Sequence, residues 1–189
     1  IVNGYMSSVM ESFSDMGVNQ ISVSVINLPS RSLDVDDTYE FFEENTDLYE
    51  EMTPVVNVAG VVKYGNDSLE ATSITGYSED YLTIKDYQLE QGRNISYSDI
   101  LSRQKVCVAG YYVANELFGG PEDALDQTVK INGEAYKIVG VVERQDDDEL
   151  EEGGTDDFVW IPYSSATKLT RDGAISSYIF TSISTDDTD

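Results

Sequence analysis

Apolar residues fall at Tyr5, Met6, Val9, Met10, Phe13 and Met16, a spacing that predicts one helical stripe over 4–16 with Gly17 as its stop. The rhythm then changes. ISVSVIN, from Ile21 to Asn27, alternates as a β-strand does, and Pro29 with the Ser/Arg/Asp stretch to Asp37 reads as a loop. Asp36 or Asp37 is placed to cap a short acidic helix reaching Asn45, with Tyr39, Phe42 and Phe41 turned inward. The Val-rich run from Pro54 to Tyr64 predicts a strand, Gly65-Asn66-Asp67 a turn, and Leu69 to Gly76 a second strand closing a hairpin.

Ser78 or Glu79 opens a short helical or irregular piece carrying Tyr81, Leu82 and Ile84, and a short polar helix begins from Ser98. KVCVAG, Lys105 to Gly110, is almost continuously apolar, which predicts a strand buried on both faces. YYVANELFGG is a helix stopped by Gly119-Gly120. TVKI, Asn132-Gly133 and EAYKIVGVVE form the strongest hairpin signal in the chain, because Asn-Gly accepts the positive φ angles of a type I′ turn. Gln145 to Asp157 is acidic and poor in apolar residues, which predicts a mobile loop. FVWIP is a strand, Ser164 to Thr170 a short helix, and SYIFTSIS a last strand. Helices and strands interleave without a βαβ rhythm, so the predicted fold class is α+β.

Charge narrows the function. The chain carries 36 acidic and 11 basic residues, a net charge of −25, over 189 residues with 40% apolar content. It is long enough for one core, or for two small ones. Such a surface repels nucleic acid and anionic headgroups, whose binding needs clustered Lys and Arg. No run of apolar residues is long enough to cross a membrane within this stretch. The chain opens at Ile1 without an initiator Met, so it is read as a segment of a longer protein with a transmembrane helix just before Ile1. The opening helix then either packs on the domain's own core or forms the last turns of a membrane-rising helix.

Candidate chemistry is sparse. There is no histidine, which removes Ser-His-Asp and Cys-His catalysis and the commonest zinc ligand. No phosphate-binding G-x-x-x-x-G-K-[ST] loop and no G-x-G-x-x-G after a strand is present. The lone Cys107, inside KVCVAG, reads as a buried free thiol. Asp146-Asp147-Asp148-Glu149 is suggestive of a calcium loop but lacks alternating ligands and the central Gly. Asn66-Asp67-Ser68 and Asn94-Ile95-Ser96 match the glycosylation sequon. No catalytic, cofactor-binding or metal-ligating residue is assigned, and no cofactor is expected.

Four stretches, in order, resemble the extracytoplasmic domain of MacB-like ABC-transporter permeases: the opening helix running into GVNQISVSV; SITGYSEDYLTIKDYQLEQGRNIS; KVCVAGYYVANELFGG with ALDQTVKINGEAYKIVGVVE; and DDFVWIPYSSATKL. A departure is Ala124-Leu125-Asp126-Gln127, where the family has Pro-Leu-Gly-Gln. The family also continues past SYIFTSIS into a further helix and strand, so its closing elements are expected beyond this stretch. Gly76, Gly92, Gly110, Gly119, Gly120, Gly133 and Gly140 match family positions, as turn or tight-packing sites rather than active-site residues.

The resemblance implies two lobes between the first and second membrane helices: a porter-like α/β lobe from 1–85 with 164–189, and an inserted, mostly β, sabre-like lobe from 86–163. It implies a domain on the extracytoplasmic side of the cell membrane, a cytoplasmic ABC ATPase subunit or domain, a permease homodimer or heterodimer, and an extracytoplasmic adaptor protein. The domain would be no enzyme; it would couple ATP-driven stalk motion to export or extraction of a peptide or amphiphilic cargo. A permease-like sensor that recognises a peptide antibiotic or controls a cell-wall hydrolase is the alternative, and a secreted carboxylate-dependent hydrolase is the third.

Overall fold

The computed structural model describes residues 20–25, 34–145, 149–171 and 173–183. The opening helix expected over 4–16 lies outside them. In chain order the elements are β1 (Gln20–Ser24), α1 (Val35–Glu44), β2 (Tyr49–Val58), β3 (Val62–Tyr64), β4 (Asp67–Leu69) and β5 (Ser73–Tyr77). Then come α2 (Tyr81–Ile84), β6 (Leu89–Gly92), α3 (Tyr97–Leu101), β7 (Val106–Ala109), α4 (Tyr111–Phe118) and α5 (Pro121–Ala124). β8 (Thr128–Ile131), β9 (Glu134–Val142), β10 (Phe158–Pro162), α6 (Tyr163–Ala166) and β11 (Ser177–Ser182) complete the described order.

The chain divides into two compact units, Ile1–Val55 with Ile175–Asp189, and Val56–Ala174. This division falls elsewhere than 85/86 and 163/164. β5 lies parallel to β10, Phe158 beside Ser73 through Pro162 beside Tyr77, and α6 packs on β5. Backbone bonding therefore groups 56–85 and 164–174 with the internal unit.

In the first unit β11 is the middle strand, antiparallel to β1 on one side and to residues 49–55 of β2 on the other. Met52, Tyr178 and Phe180 are buried, and Tyr39, Phe41 and Phe42 of α1 pack against them as the helical pattern requires. Full burial of side chains such as Met52 and Phe180 contributes about 1.5–3 kcal/mol each, and the partly buried rings of α1 add less. The cap of α1 is Asp34, ahead of the expected Asp36 or Asp37. Asp34 accepts a hydrogen bond from the Val35 N–H, and Asp37 reaches back to the Asp34 N–H, a capping box that starts the helix one turn earlier than its aromatic stripe suggests.

In the second unit the strands run in the order 56–58 of β2, then β5, β10, β7, β9, β8, β3 and β4, with β6 also on β9. The expected strand over 54–64 is broken. β2 ends at Val58 and β3 begins at Val62, so the hairpin has two pieces, β2 with β5 and β3 with β4. β9 is the hub. Its first half pairs with β8, its end with β6, and β7 lies parallel on its other side. The β8–β9 turn has φ of 50° at Asn132 and 85° at Gly133, the left-handed pair that a type I′ turn demands. β10 is buried at every position, the outcome expected of an uninterrupted apolar run between two strands.

Candidate functional site

Carboxylates are the chain's most abundant reactive groups, and the structure ties several of them to backbone and hydroxyl donors. The Glu152 Oε1 accepts hydrogen bonds from the N–H groups of Glu70 (2.9 Å) and Ala71 (3.1 Å), in the link between β4 and β5. Asp157 Oδ1 accepts from the Thr72 hydroxyl at 2.6 Å, and its Oδ2 accepts from the Gly153 N–H at 2.7 Å. Asp156 Oδ1 accepts from the Gln145 N–H at 2.9 Å. Asp156 and Asp157 are 5% and 2% exposed. Burial pushes the Asp157 carboxyl above its usual range, while Thr72 and Gly153 pull it back.

This network bears on the segment 145–157, in which the sequence offers Leu150 as the sole apolar residue. Its described residues are fastened by their own acids, so the acids that suggest a mobile loop are its attachment points. Residues 146–148 of the calcium-like run lie outside the described residues, and Glu149 is exposed. Among the described residues, no three His, Cys, Asp or Glu side chains are placed to hold a metal ion.

A second cluster is aromatic. Tyr77 at the end of β5 stacks on Tyr81 of α2 with ring centroids 3.4 Å apart, and Trp160 of β10 meets both edge-on, at 5.9 and 4.8 Å. Phe158 stacks on Trp160 at 4.6 Å. Burial drives the Tyr77 and Tyr81 phenols upward, so both stay protonated and act as packing groups. Asp80, beside this cluster, is pushed up to about 6 by burial and then by the neighbouring Glu79.

The other residues singled out from the sequence have structural positions. Cys107 is fully buried in β7, and burial pushes its thiol up, which leaves it unreactive. Asn94 is committed locally: its Nδ2 donates to the Glu79 carbonyl and its Oδ1 accepts from the Ile95 N–H. Asn66 is exposed in the β3–β4 turn. Gly76 lies where a Cβ would fall on the Ala166 Cβ and within 2.9 Å of the Tyr163 Cα, so its missing side chain lets α6 close on β5. The carboxylate clasp went unread in the sequence; its one local signal is Gly153-Gly154 ahead of Asp156-Asp157. None of these groups converges with another into an acid–base or nucleophile–base arrangement. Among the described residues no helix is long and apolar enough to cross a membrane.

A family model described as MacB-like periplasmic core domain matches residues 1–189. A macrolide export ATP-binding/permease protein MacB of Campylobacter fetus is 26% identical over 185 residues, covering 94% of this chain and 28% of that protein. Its namesake in Neisseria gonorrhoeae is 27% identical over 175 residues, covering 86% of this chain and 26% of that protein. The chain thus spans about a quarter of the length of these relatives. The crystal structure of the periplasmic region of MacB from Actinobacillus actinomycetemcomitans superposes with a TM-score of 0.72 at 22% identity, covering 96% of this chain and 82% of that one. The extracellular domain of the noncanonic ABC-type transporter YknZ from Gram-positive bacteria gives 0.66 at 16% identity, covering 89% and 86%. These superpositions show the mixed α and β fold anticipated from the sequence.

Proposed function

This chain belongs to the MacB-like periplasmic core domain family, and from that premise we propose that it couples ATP-driven motion of a permease to movement of a peptide or amphiphilic cargo outside the cytoplasm. The observation that carries the reading is the division of the chain: one unit formed by both terminal segments, the other inserted within it. A displacement applied through both terminal segments enters a single unit. That is what a mechanical coupler needs and what a hydrolase does not. In this reading the unit built from the terminal segments is the porter-like lobe, and Val56–Ala174 is the sabre-like lobe.

The work at this domain is mechanical. Its buried Asp156 and Asp157 are engaged as structural acceptors, its thiol is buried, and the energy enters at a cytoplasmic ABC ATPase, with the permease acting as a dimer and an extracytoplasmic adaptor receiving cargo. The test uses the longer permease that carries this chain, reconstituted with its ATPase. Deleting 56–174 should abolish ATP-dependent export of a labelled peptide panel while ATP hydrolysis persists. Export at the undiminished rate, or ATP hydrolysis by the 189-residue chain alone, would refute the proposal. Loss of antibiotic-induced signalling with no export by the intact protein would favour the sensor reading.

A further inference from the structure

The most unusual surface in this acidic chain is a basic one. β3 and β8 are antiparallel neighbours with Lys63 directly opposite Lys130. β8 and β9 are antiparallel with Thr128 opposite Lys137 and Lys130 opposite Ala135. β4 places Ser68 opposite Lys63. Residues paired across strands share a face, so Ser68, Lys63, Thr128, Lys130, Ala135 and Lys137 lie together on one side of four adjacent strands. All six are exposed, whereas Val62, Val129, Ile131 and Tyr136 on the other side are buried. The paired positions of this exposed face hold no carboxylate.

Two features set the patch apart from chance decoration. Acidic residues outnumber basic ones 36 to 11, so a carboxylate is the expected charged neighbour of any lysine. Yet Lys63 faces Lys130, and like charges directly opposite on adjacent strands destabilise a sheet. Lys137 has an ion pair with Asp126 at 2.6 Å, but no ion pair among the described residues involves Lys63 or Lys130. A repulsive pair kept within an acidic molecule has the form of a surface waiting for an opposite charge.

We propose that this lysine face of β3, β8 and β9 docks a short acidic polypeptide segment of a partner protein. Geometry favours a segment of that kind. Neighbouring strands are about 4.8 Å apart, and Lys137 stands diagonal to Lys130 at about 7–8 Å. Side chains on one face of an extended strand repeat about every 7 Å, so alternate carboxylates meet the ammonium groups. Charge excludes larger anions. Screening confines the patch to about 8 Å at physiological salt, so a short segment senses the lysines while an extended polyanion or a membrane also meets the remaining charge of the −25 chain. A second copy of the chain brings that same negative charge with it.

The test is fluorescence anisotropy of a labelled peptide of alternating Glu and Thr with the 189-residue chain. Binding should appear at about 0.15 M salt, where the remaining charge of the chain is screened from the patch, weaken toward about 1 M, and fall at least about tenfold, the scale of a few charge contacts, in the Lys63→Glu/Lys130→Glu variant. Lys85→Glu/Arg171→Glu makes the same charge change away from the patch and should leave affinity within about twofold. An independent readout is stability: Lys130→Glu alone should raise the thermal midpoint, because it turns the repulsive pair into an opposite-charge one. Absence of peptide binding, or an equal loss in the control variant, overturns the proposal. So does lysine-dependent binding of phosphatidylglycerol vesicles in place of the peptide, or a lowered midpoint for Lys130→Glu.

Discussion

Asp157 holds the acidic loop with two bonds that Ala cannot replace. Asp157→Ala leaves the Thr72 hydroxyl and the Gly153 N–H without their acceptors. Thr72 is 6% exposed, so water does not reach its hydroxyl, and an unsatisfied buried donor costs about 1–3 kcal/mol. Gly153 is exposed, so its N–H rehydrates and the loss there is only the net value of the bond, about 0.5–1.5 kcal/mol. Removing a carboxylate whose ionised form burial disfavours returns part of this, so the expected loss is about 2–3 kcal/mol. Asp157→Asn should cost less than half as much, because one oxygen keeps Gly153 and the Thr72 hydroxyl can turn to accept from the amide. The assay is urea unfolding, with amide exchange over 149–157 read in parallel. A Thr72→Val/Asp157→Ala double-mutant cycle should return a coupling of about 1.5–3 kcal/mol, the range for a hydrogen bond to a charged group. Equal losses for Ala and Asn, or a coupling near zero, would refute the clasp.

Three further outcomes are expected. Gly133→Val should lose about 1–2 kcal/mol in denaturant melts, the scale for a Cβ in a left-handed position, and an unchanged midpoint would contradict the I′ turn. Asp34→Ala should cost about 1 kcal/mol and speed amide exchange in α1, since the N-cap acceptor is lost; unaltered exchange over 35–44 would count against the capping box. Asp80 has its folded pKa raised to about 6, so the stability it contributes is full below about pH 4 and is lost as pH rises through about 6. Asp80→Asn should therefore match the parent near pH 4 and exceed it at pH 7 by about 1 kcal/mol, solvent screening of the half-buried group keeping the gain small. A constant difference across that range would show that the carboxylate is not the source.

Elements with a strong local rhythm were legible in the sequence, among them β7, α4, the β8–β9 hairpin, β10 and β11. Their apolar runs or Asn-Gly turn speak without tertiary context. β6 was missed because LEQG is half-exposed and its pairing with β9 is irregular between Leu89 and Gln91. α5 is a single turn, PEDA, too short for any period to register. The break in 54–64 follows from partners far along the chain, since β3 turns to β8 while β2 stays with β5. The carboxylate clasp and the lysine face share one reason for staying hidden. Both depend on which backbone lies beside which, and a run of acids or a scattered Lys has no period that encodes its neighbour.

β10 carries a consequence for the time course of folding. The β8–β9 hairpin closes between residues adjacent in sequence, so it can form early. β10 has no such local partner: it must find β5 from much earlier in the chain and β7 on its other flank. Until both are in place Phe158, Trp160 and Ile161 have nowhere to hide, and a nascent or refolding chain presents them as a sticky strand with two open edges. The chain has one tryptophan, Trp160, so its intrinsic fluorescence reports on this late closure while remaining silent about the hairpin that precedes it.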